Sequence, residues 1–268
     1  MDFSKLKAEA FFELGSFEHA TLFNNCGYVW DGLRKIKGYL GDHLHGNVSE
    51  IRCFRQPLPQ TIVLWQGRIW REGFEFLGGD VTKGSFRLQI RGEEIGDAVV
   101  LYAGSVLWDE QIFLGPGSVV EPGALIQGPT IIGAHTEVRQ GAYVRGNCII
   151  GNRCILGHTT EIKASMMLDD AKAGHFAYIG DSILGNATNL GAGTKLANLK
   201  IGAGTVRVKF GSNSLDTGLR KFGAILGDHV EIGCNAVTNP GTALGKGCLV
   251  FPVTSVPSGY HEPESIVR

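Results

Sequence analysis

Residues 114–162 read LGPGSVVEPGALIQGPTIIGAHTEVRQGAYVRGNCIIGNRCILGHTTEI, and this stretch decides the fold. An aliphatic residue recurs at every sixth position: Leu114, Val120, Ile126, Ile132, Val138, Val144, Ile150, Leu156 and Ile162. A period of six fits neither the 3.6-residue turn of an α-helix nor the two-residue alternation of a single strand. It fits a three-sided column in which each hexapeptide forms one flat face and the aliphatic side chains fill the interior.

A small residue follows each of the first eight aliphatic positions by four residues. These residues are Ser118, Ala124, Thr130, Thr136, Ala142, Cys148, Cys154 and Thr160. We expect them inside the corners of the column, where space is limited. Cys148 and Cys154, and also Cys248, are therefore predicted to be buried structural thiols. Cys234 lies two residues after Ile232, outside this position, and is expected to line a surface groove.

The same register returns further along the chain, at Leu184, Leu190, Leu196, Leu226, Ile232, Thr238, Leu244 and Val250. Two interruptions separate the runs. From Ile162 to Leu184 there are 22 residues, which we interpret as one coil of 18 plus an insert of four; this segment holds His175 and two acidic residues, Asp169 and Asp170, expected as solvated loop charges. The interruption before Leu226 is longer and contains a predicted hairpin, GTVRVKFGSNSLDTG, at 204–218.

Residues 1–100 show no repeat. Val29, Trp30, Leu33, Ile36 and Leu40 fall at helical spacing and predict a helix near 28–41. The ranges 61–65, 74–77 and 85–90 read as strands separated by glycine-rich turns. We therefore predict a mainly β protein with a small N-terminal α+β cap over 1–100 and a β-helix domain over 101–268.

Composition narrows the function classes. The chain has 25 Lys and Arg against 26 Asp and Glu, a formal net charge of −1, so nucleic acid and membrane surfaces are not expected as partners. The six cysteines show no C-x-x-C spacing, and we predict no metal site. The N-terminus lacks a signal-peptide core, and no apolar stretch approaches a membrane span, which favours a cytoplasmic location.

The segment 161–200 reads EIKASMMLDDAKAGHFAYIGDSILGNATNLGAGTKLANLK. It resembles the acetyltransferase domain of the bifunctional N-acetylglucosamine-1-phosphate uridylyltransferase/glucosamine-1-phosphate acetyltransferase family and its archaeal sugar-1-phosphate nucleotidylyltransferase relatives. The resemblance lies in the blocks EIK, AGHFAYIGD, TNLGAGT and AN, followed by RKFGAILGD at 220–228. It implies that the column is a left-handed parallel β-helix of hexapeptide repeats.

The resemblance also implies site residues. His175 would be the catalytic base that takes a proton from an amine, and Asn198 would hold the acetyl carbonyl or the amine. The positions that match substrate-binding residues are Arg145, Lys163 and Lys221 around a sugar phosphate, and Tyr178 and Asn189 around the sugar. Ala192, Cys234 and Phe251 are expected at the acetyl-CoA site. A histidine titrates in the range that such proton transfer needs.

These roles imply an N-acetyltransferase that uses acetyl-CoA as cosubstrate and a hexosamine 1-phosphate as acceptor. Nucleotidyl transfer is not expected, because residues 1–100 lack the Gly-rich G-x-G-T-R-type loop of that activity. Two alternatives stay open: a nucleotide-linked amino sugar as acceptor, and a non-catalytic assembly or regulatory module. The family pattern implies a homotrimer with each active site between two columns.

Overall fold

The computed structural model describes residues 2–268. From residue 99 onward the chain winds into a three-sided column, and successive coils contribute one short strand to each of three parallel sheets. Equivalent strands pair in register, for example Val144 with Ile126 before it and with Ile162 after it. The column is a left-handed parallel β-helix of hexapeptide repeats, so the predicted fold class is confirmed.

We number the sheets in the order in which the chain visits them. Sheet 1 contains Val99–Leu101, Val119–Val120, Glu137–Val138, Ile155–His158, Lys172–His175, Asn189–Leu190, Glu231–Ile232, Leu249–Val250 and Ile266–Val267. Sheet 2 contains Val106–Leu107, Leu125–Gln127, Tyr143–Arg145, Glu161–Lys163, Tyr178–Gly180, Lys195–Leu196, Val237–Thr238 and Ser255–Val256. Sheet 3 contains Ile112–Leu114, Thr130–Ile132, Cys148–Ile150, Met166–Met167, Ile183–Leu184, Ala224–Leu226, Thr242–Leu244 and Gly259–His261.

The interior is the predicted ladder of aliphatic side chains. Every residue assigned to the six-residue register is buried, as is every residue assigned to the small corner position. Hydroxyl groups at that position also form hydrogen bonds, because they donate to carbonyl groups inside the corner. Thr136 Oγ1 donates to Gly151 O at 2.9 Å, and Thr160 Oγ1 donates to Ala173 O at 3.0 Å. Small side chains therefore fill the corners and also satisfy buried backbone oxygens.

The insert predicted between Ile162 and Leu184 does not exist. The interior positions here are Met167, Ala173 and Ile179. Two successive turns from sheet 2 to sheet 3, Ile162 to Met167 and Ile179 to Leu184, are each one residue shorter than the six-residue period. Sheet pairing continues without a gap through this segment. The expectation for the two acidic residues is also partly wrong, since Asp169 is buried and both carboxylates contact Arg153, at 3.6 Å from Asp169 and 2.8 Å from Asp170.

The second interruption is a true excursion, and the predicted hairpin is confirmed. Arg207–Phe210 pairs antiparallel with Asn213–Asp216. Alternate residues of the first strand, Val208 and Phe210, are buried, whereas Arg207 and Lys209 point outward. The apolar side packs with Phe222 against the segment that covers sheet 3.

Residues 3–44 lie along the outer side of sheet 3. This segment contains Phe3–Leu6, Ala8–Phe11, Ala20–Phe23 and Asp31–His43, of which the last corresponds to the helix predicted at 28–41. Its apolar side chains pack on the outward residues Ile131, Ile149, Met166, Ile183 and Ile225. Asp228 fixes the segment to the column, since its carboxylate accepts from Glu13 N at 2.7 Å and its own N–H donates to Phe11 O at 2.9 Å.

Residues 49–101 close the first coil of the column. They contain Ser49–Ile51, Ile62–Trp65, Arg68–Trp70, Phe74–Gly78, Arg87–Ile90 and Glu93–Ile95. Ile62–Trp65 pairs antiparallel with Val99–Leu101 and so extends sheet 1. The strands therefore form the cap, but the predicted helix lies along the side of the column. Within residues 2–268 no helix is long and apolar enough to cross a membrane.

One interior position breaks the pattern of the ladder and gives a stability test. Thr238 is fully buried where other coils have aliphatic residues, and its hydroxyl oxygen has no hydrogen-bond partner among residues 2–268. Because a buried unpaired hydroxyl is destabilising, we expect Thr238→Val to raise the free energy of unfolding by about 1 kcal/mol in urea denaturation. Thr242→Val is the matched control, since Thr242 Oγ1 donates to Asn239 O at 2.7 Å. A loss of stability in Thr238→Val equal to that in the control would contradict this account.

Candidate functional site

A polar cluster lies where sheet 2 turns into sheet 3. Asp181 Oδ2 lies 2.5 Å from Lys163 Nζ and accepts from Asn198 Nδ2 at 2.5 Å. The side chains of Lys163 and Asp181 are each only 16% exposed, so this ion pair is shielded from solvent. We call Lys163, Tyr178, Asp181 and Asn198 the Asp181 cluster. One carboxylate therefore holds two of the predicted site residues against each other.

Gly180 forms the floor of the Asp181 cluster. A methyl group added at its Cα would lie 2.6 Å from Asn198 Nδ2 and 2.7 Å from Tyr178 Oη. The amide and the phenol thus converge over the glycine, and no larger residue fits without displacing them. This close approach is the reason that the motif has Gly immediately before Asp181.

Arg145 lies on sheet 2 next to this cluster but has its own acidic partner. Its Nη1 donates to Glu161 Oε1 at 2.6 Å, and this hydrogen bond raises the pKa of Arg145. The guanidinium also lies 5.8 Å from the centre of the Tyr143 ring. Arg145 and Lys163 both point outward from sheet 2, and each is paired with a carboxylate. An incoming phosphate would therefore compete with Glu161 for the arginine.

His175 lies at the opposite edge of sheet 2, where sheet 1 turns into sheet 2. It ends the strand Lys172–His175 and is exposed, and its backbone oxygen accepts from Gly193 N at 3.0 Å. Phe176, which follows it, forms the corner with φ 54. Across residues 2–268 no side chain forms a hydrogen bond or ion pair with the His175 ring. The imidazole is thus accessible to an incoming group.

The width of sheet 2 separates His175 from Asn198 within one chain. The two corner residues of this coil, Phe176 and Asp181, are five residues apart along the chain. Because the strand Tyr178–Gly180 between them is extended, at ~3.3 Å per residue the two edges lie roughly 16 Å apart. A single substrate amine cannot contact both side chains of the same chain.

A groove of about 410 Å³ on sheet 1 brings together three further predicted site residues, Asn189, Cys234 and Phe251. Asn189 Nδ2 donates to Glu231 Oε2 at 3.0 Å. Ala192 lies at the adjacent corner, where its backbone oxygen accepts from Asn235 N at 2.8 Å. Cys234 therefore lines a surface groove as expected. Asn189, predicted beside the sugar with Tyr178, lies on a different sheet from it.

Lys221 follows the hairpin excursion along the chain, and the backbone at this point lies next to the Asp181 cluster. The next residue, Phe222, donates its N–H to Asn198 O at 2.9 Å. The Lys221 side chain itself is exposed. The predicted basic residues thus all lie at or near the junction of sheets 2 and 3, while the residues predicted for acetyl-CoA lie on sheet 1 and its corner.

Asp181 is the residue that the sequence motif contained but that sequence reasoning assigned no role. It is the last residue of AGHFAYIGD and adopts a left-handed corner conformation with φ 47. The sequence did contain a signal for its role. Asp181 follows Lys163 by 18 residues, so it is expected one coil further on, at the same corner. Lys163 O in fact accepts from Asp181 N at 3.0 Å, so the two side chains are neighbours.

The cysteine in the surface groove and the cysteines in the interior are expected to differ in reactivity. Cys234 is exposed, whereas burial raises the pKa of Cys148 to about 12 and also raises that of Cys154. Since the thiolate is the reactive form, we expect iodoacetamide at pH 8 to alkylate Cys234 roughly 1,000-fold faster than the two buried thiols. Peptide mass spectrometry over time measures this, and Cys234→Ser is the control. Early labelling of Cys148 in that variant would contradict the predicted burial.

Residues 126–266 match the family model described as the GMPPB C-terminal domain, which is more than half of the chain. The chain belongs to this family. The match begins in the second strand of sheet 2 and runs to the last strand of sheet 1, so it includes both corners described above.

Similar proteins carry related names. The bifunctional sugar-1-phosphate nucleotidylyltransferase/acetyltransferase of Sulfurisphaera tokodaii is 35% identical over 108 residues, which are 40% of this chain and 27% of that protein. The bifunctional protein GlmU of Methanocaldococcus jannaschii is 36% identical over 94 residues, 35% of this chain and 23% of that protein. The chain thus matches about a quarter of the length of these curated relatives.

Among solved structures, the chain is similar to the UDP-N-acetylglucosamine acyltransferase from Campylobacter jejuni, with 17% identity and a TM-score of 0.34. The match covers 58% of this chain and 68% of that one.

Proposed function

We propose that the chain transfers the acetyl group of acetyl-CoA to the amine of a hexosamine 1-phosphate. The observation that carries the proposal is the Asp181 cluster, in which one carboxylate orients a lysine and an amide beside a tyrosine hydroxyl. A largely buried ion pair beside an oriented amide presents hydrogen-bond donors in a fixed geometry. Recognition of a sugar hydroxyl or a phosphate needs such a geometry. The names of the Sulfurisphaera and Methanocaldococcus relatives support the same reaction class.

The reaction needs a base, and His175 is the group proposed for it. The amine nitrogen attacks the thioester carbonyl carbon, the carbon–sulfur bond breaks, and the acetamide forms. His175 takes the proton that the amine loses and returns it to the departing CoA sulfur. A positioned base of this kind contributes ~10²–10⁴-fold to the rate. Direct attack requires no covalent intermediate on the protein.

The acceptor phosphate is proposed to lie near Arg145, Lys163 and Lys221. A phosphate dianion carries more charge than a carboxylate and accepts two hydrogen bonds from one guanidinium. Its arrival would displace Glu161 from Arg145. Lys163 stays aligned by Asp181, so it acts as a fixed donor, while the exposed Lys221 supplies a mobile one.

The donor is proposed to lie in the groove on sheet 1. Leu249, Phe251 and Pro252 give the groove an apolar surface suited to the pantetheine arm. Ala192 and Cys234 lie beside the His175 corner. Backbone N–H groups at this corner would donate to the oxyanion that forms on the thioester carbonyl.

Assembly is part of the proposal, because His175 and Asn198 of one chain lie on opposite edges of sheet 2. We propose a homotrimer in which the His175 corner of one column faces the Asp181 cluster of the next. Sheet 3 is covered by residues 3–44, so sheets 1 and 2 and the corner between them provide the contact. Exposed apolar side chains at that corner and on sheet 1, including Phe176, Leu249 and Val253, suit such a contact.

The test is a thiol-release assay with acetyl-CoA and three acceptors: glucosamine-1-phosphate, galactosamine-1-phosphate and a UDP-linked amino sugar. We expect turnover on a hexosamine 1-phosphate. Turnover only on the UDP-linked amine would replace the proposed acceptor, and absence of turnover on every amine would favour the non-catalytic assembly role. A multi-angle light-scattering measurement in the same buffer checks the trimer.

A further inference from the structure

A second polar cavity of about 520 Å³ lies between the hairpin and the lower coils of the column. None of the residues discussed for acetyl transfer lines it. Its walls combine cationic side chains with hydroxyl and amide groups, and we call it the basic cleft: Lys200, Arg207, Lys209, Ser214, Asn239 and Ser258.

The charged side chains that line the basic cleft are cationic. Three cationic side chains line it and no carboxylate does. In the part of the chain that the structure describes, Lys200 and Lys209 form no ion pair. Arg207 has an acidic neighbour, Asp216, at 3.4 Å, and both side chains are half-exposed, so this pair is weak. Asp216 also lies close enough to Lys200 for the charge of the lysine to lower the pKa of the Asp216 carboxyl, so the cleft has three positive charges against one acidic neighbour, in a molecule whose formal net charge is −1.

The hairpin positions two of the three cations. Arg207 and Lys209 alternate with the buried residues Val208 and Phe210, so both point to the same outward face. The Phe210 ring packs edge-on against Tyr260 with centroids 5.3 Å apart, and Thr217 Oγ1 donates to Val206 O at 2.7 Å. Arg207 is oriented further by a 2.9 Å hydrogen bond from its Nε to Ser214 Oγ. Positive charge held in this way costs little further ordering when an anion binds.

The basic cleft continues the edge of sheet 2 beyond the Asp181 cluster. Ala197 N donates to Thr238 O at 3.1 Å, which places Asn239 one coil beyond Asn198 at the same corner. Lys200 is two residues after Asn198 along the chain. A ligand in the cleft would thus lie next to the proposed acceptor site.

We propose that the basic cleft binds the phosphate groups of a nucleotide. Three cations exceed what one phosphate monoester needs, and a cavity of this size holds more than an inorganic ion. Pro240, Pro257 and Val206 add apolar wall that suits a ribose or base. The balanced net charge of the chain favours a small nucleotide over a nucleic acid strand. The proposal extends the proposed function but requires binding only, so it is tested without turnover.

The experiment is isothermal titration calorimetry with two non-reactive probes, desulfo-CoA and UDP. We expect Lys200→Ala/Lys209→Ala to weaken binding of at least one probe by about tenfold or more. Weaker binding of desulfo-CoA would identify the phosphates of the acetyl donor as the groups bound in the cleft. Weaker binding of UDP would identify those of a nucleotide-linked acceptor. Lys200→Arg/Lys209→Arg keeps the charge and is expected to bind within about threefold of the unaltered chain.

The control is Arg71→Ala/Lys83→Ala, which removes the same charge from exposed positions far along the chain from the cleft. Equal weakening in this control would show a nonspecific charge effect and overturn the proposal. So would unchanged binding in Lys200→Ala/Lys209→Ala, or no binding of either probe to the unaltered chain. Failure of acetyl transfer with nucleotide binding intact would instead count against the proposed function alone.

Discussion

His175→Ala is expected to lower kcat for acetyl transfer by about 10²–10⁴-fold while leaving the KM for acetyl-CoA nearly unchanged. The physical reason is that the ring takes the proton from the attacking amine and makes no contact that the bound donor needs before reaction. Thiol release at saturating acetyl-CoA with glucosamine-1-phosphate measures it. Because an amine deprotonates in solution as pH rises, the deficit should shrink in alkaline buffer.

His158→Ala is the matched control for this prediction. His158 lies one coil before His175 at the same corner, and its carbonyl oxygen accepts from Phe176 N at 2.8 Å. Its ring is hydrogen-bonded to Gln140 O at 3.0 Å, whereas the His175 ring has no such contact in the described residues. We expect turnover within about threefold of the unaltered chain. Equal losses in the two variants would indicate a structural effect at the corner and would remove His175 as the base.

Asp181→Ala is expected to lower kcat/KM for the acceptor by roughly 10–100-fold. The carboxylate holds both Lys163 and Asn198, so its removal leaves a lysine without its partner and an amide free to rotate. The effect should fall on the acceptor and not on acetyl-CoA, since the groove proposed for the donor lies on sheet 1. Steady-state kinetics with each substrate varied in turn separates the two effects.

The control for Asp181 is Asp170→Ala in the same coil. Asp170 is also an aspartate in a left-handed corner conformation, with φ 63 against φ 47 for Asp181, and it also pairs with a cation, Arg153, at 2.8 Å. The two substitutions therefore carry a similar conformational cost. If Asp170→Ala lost as much acceptor kcat/KM as Asp181→Ala, the effect would be one of stability, and the orienting role of Asp181 would be wrong.

The interior of the column was predictable because a single physical requirement repeats in it. Each coil must place one aliphatic side chain per face, so the residues from Leu114 to Ile162 show a regular period of six. The corner residues were predictable for the same reason, since only small side chains fit there. The period indicates where side chains point, but it does not indicate what they contact across the surface.

The shortened coil shows how a periodic pattern misleads. Met167, Ala173, Ile179 and Leu184 follow Ile162 in steps of five, six, six and five residues. A corner can lose one residue without disturbing the strands on either side, because the turn and not the strand absorbs the change. A strict six-residue register treats the loss as an insertion. His175 consequently lies in a regular strand end and not in a protruding loop.

The sequence contained a signal that the outer side of sheet 3 is covered, although the six-residue period alone does not reveal it. Ile131, Ile149, Met166, Ile183 and Ile225 each directly precede an interior residue and so point outward, yet all are apolar. Outward apolar residues on the same face of consecutive coils indicate a covered surface. The identity of the cover, residues 3–44, could not be predicted, because its packing depends on long-range contacts such as Asp228 with Glu13 N.

The ion pairs of the candidate site were the least predictable feature. Spacing places Arg145 and Lys163 on the outer face of sheet 2, but only side-chain geometry shows that Glu161 and Asp181 neutralise them. Likewise, matching separations along the chain suggested that Asn189 and Tyr178 share a sugar, whereas the fold places them on adjacent sheets. Sequence separation in a column indicates the coil and the face on which a residue lies. Residues on different faces that do not share a corner can reach one ligand only through a second chain.

Mixing two inactive variants tests the shared site most directly. His175→Ala and Asn198→Ala are unfolded together, refolded as mixed trimers and assayed for thiol release beside each variant refolded alone. If every site takes His175 from one chain and Asn198 from its neighbour, random 1:1 assembly restores about a quarter of the unaltered activity. A mixture that stays as inactive as its parents, beside an active unaltered control, would contradict a site formed between two columns.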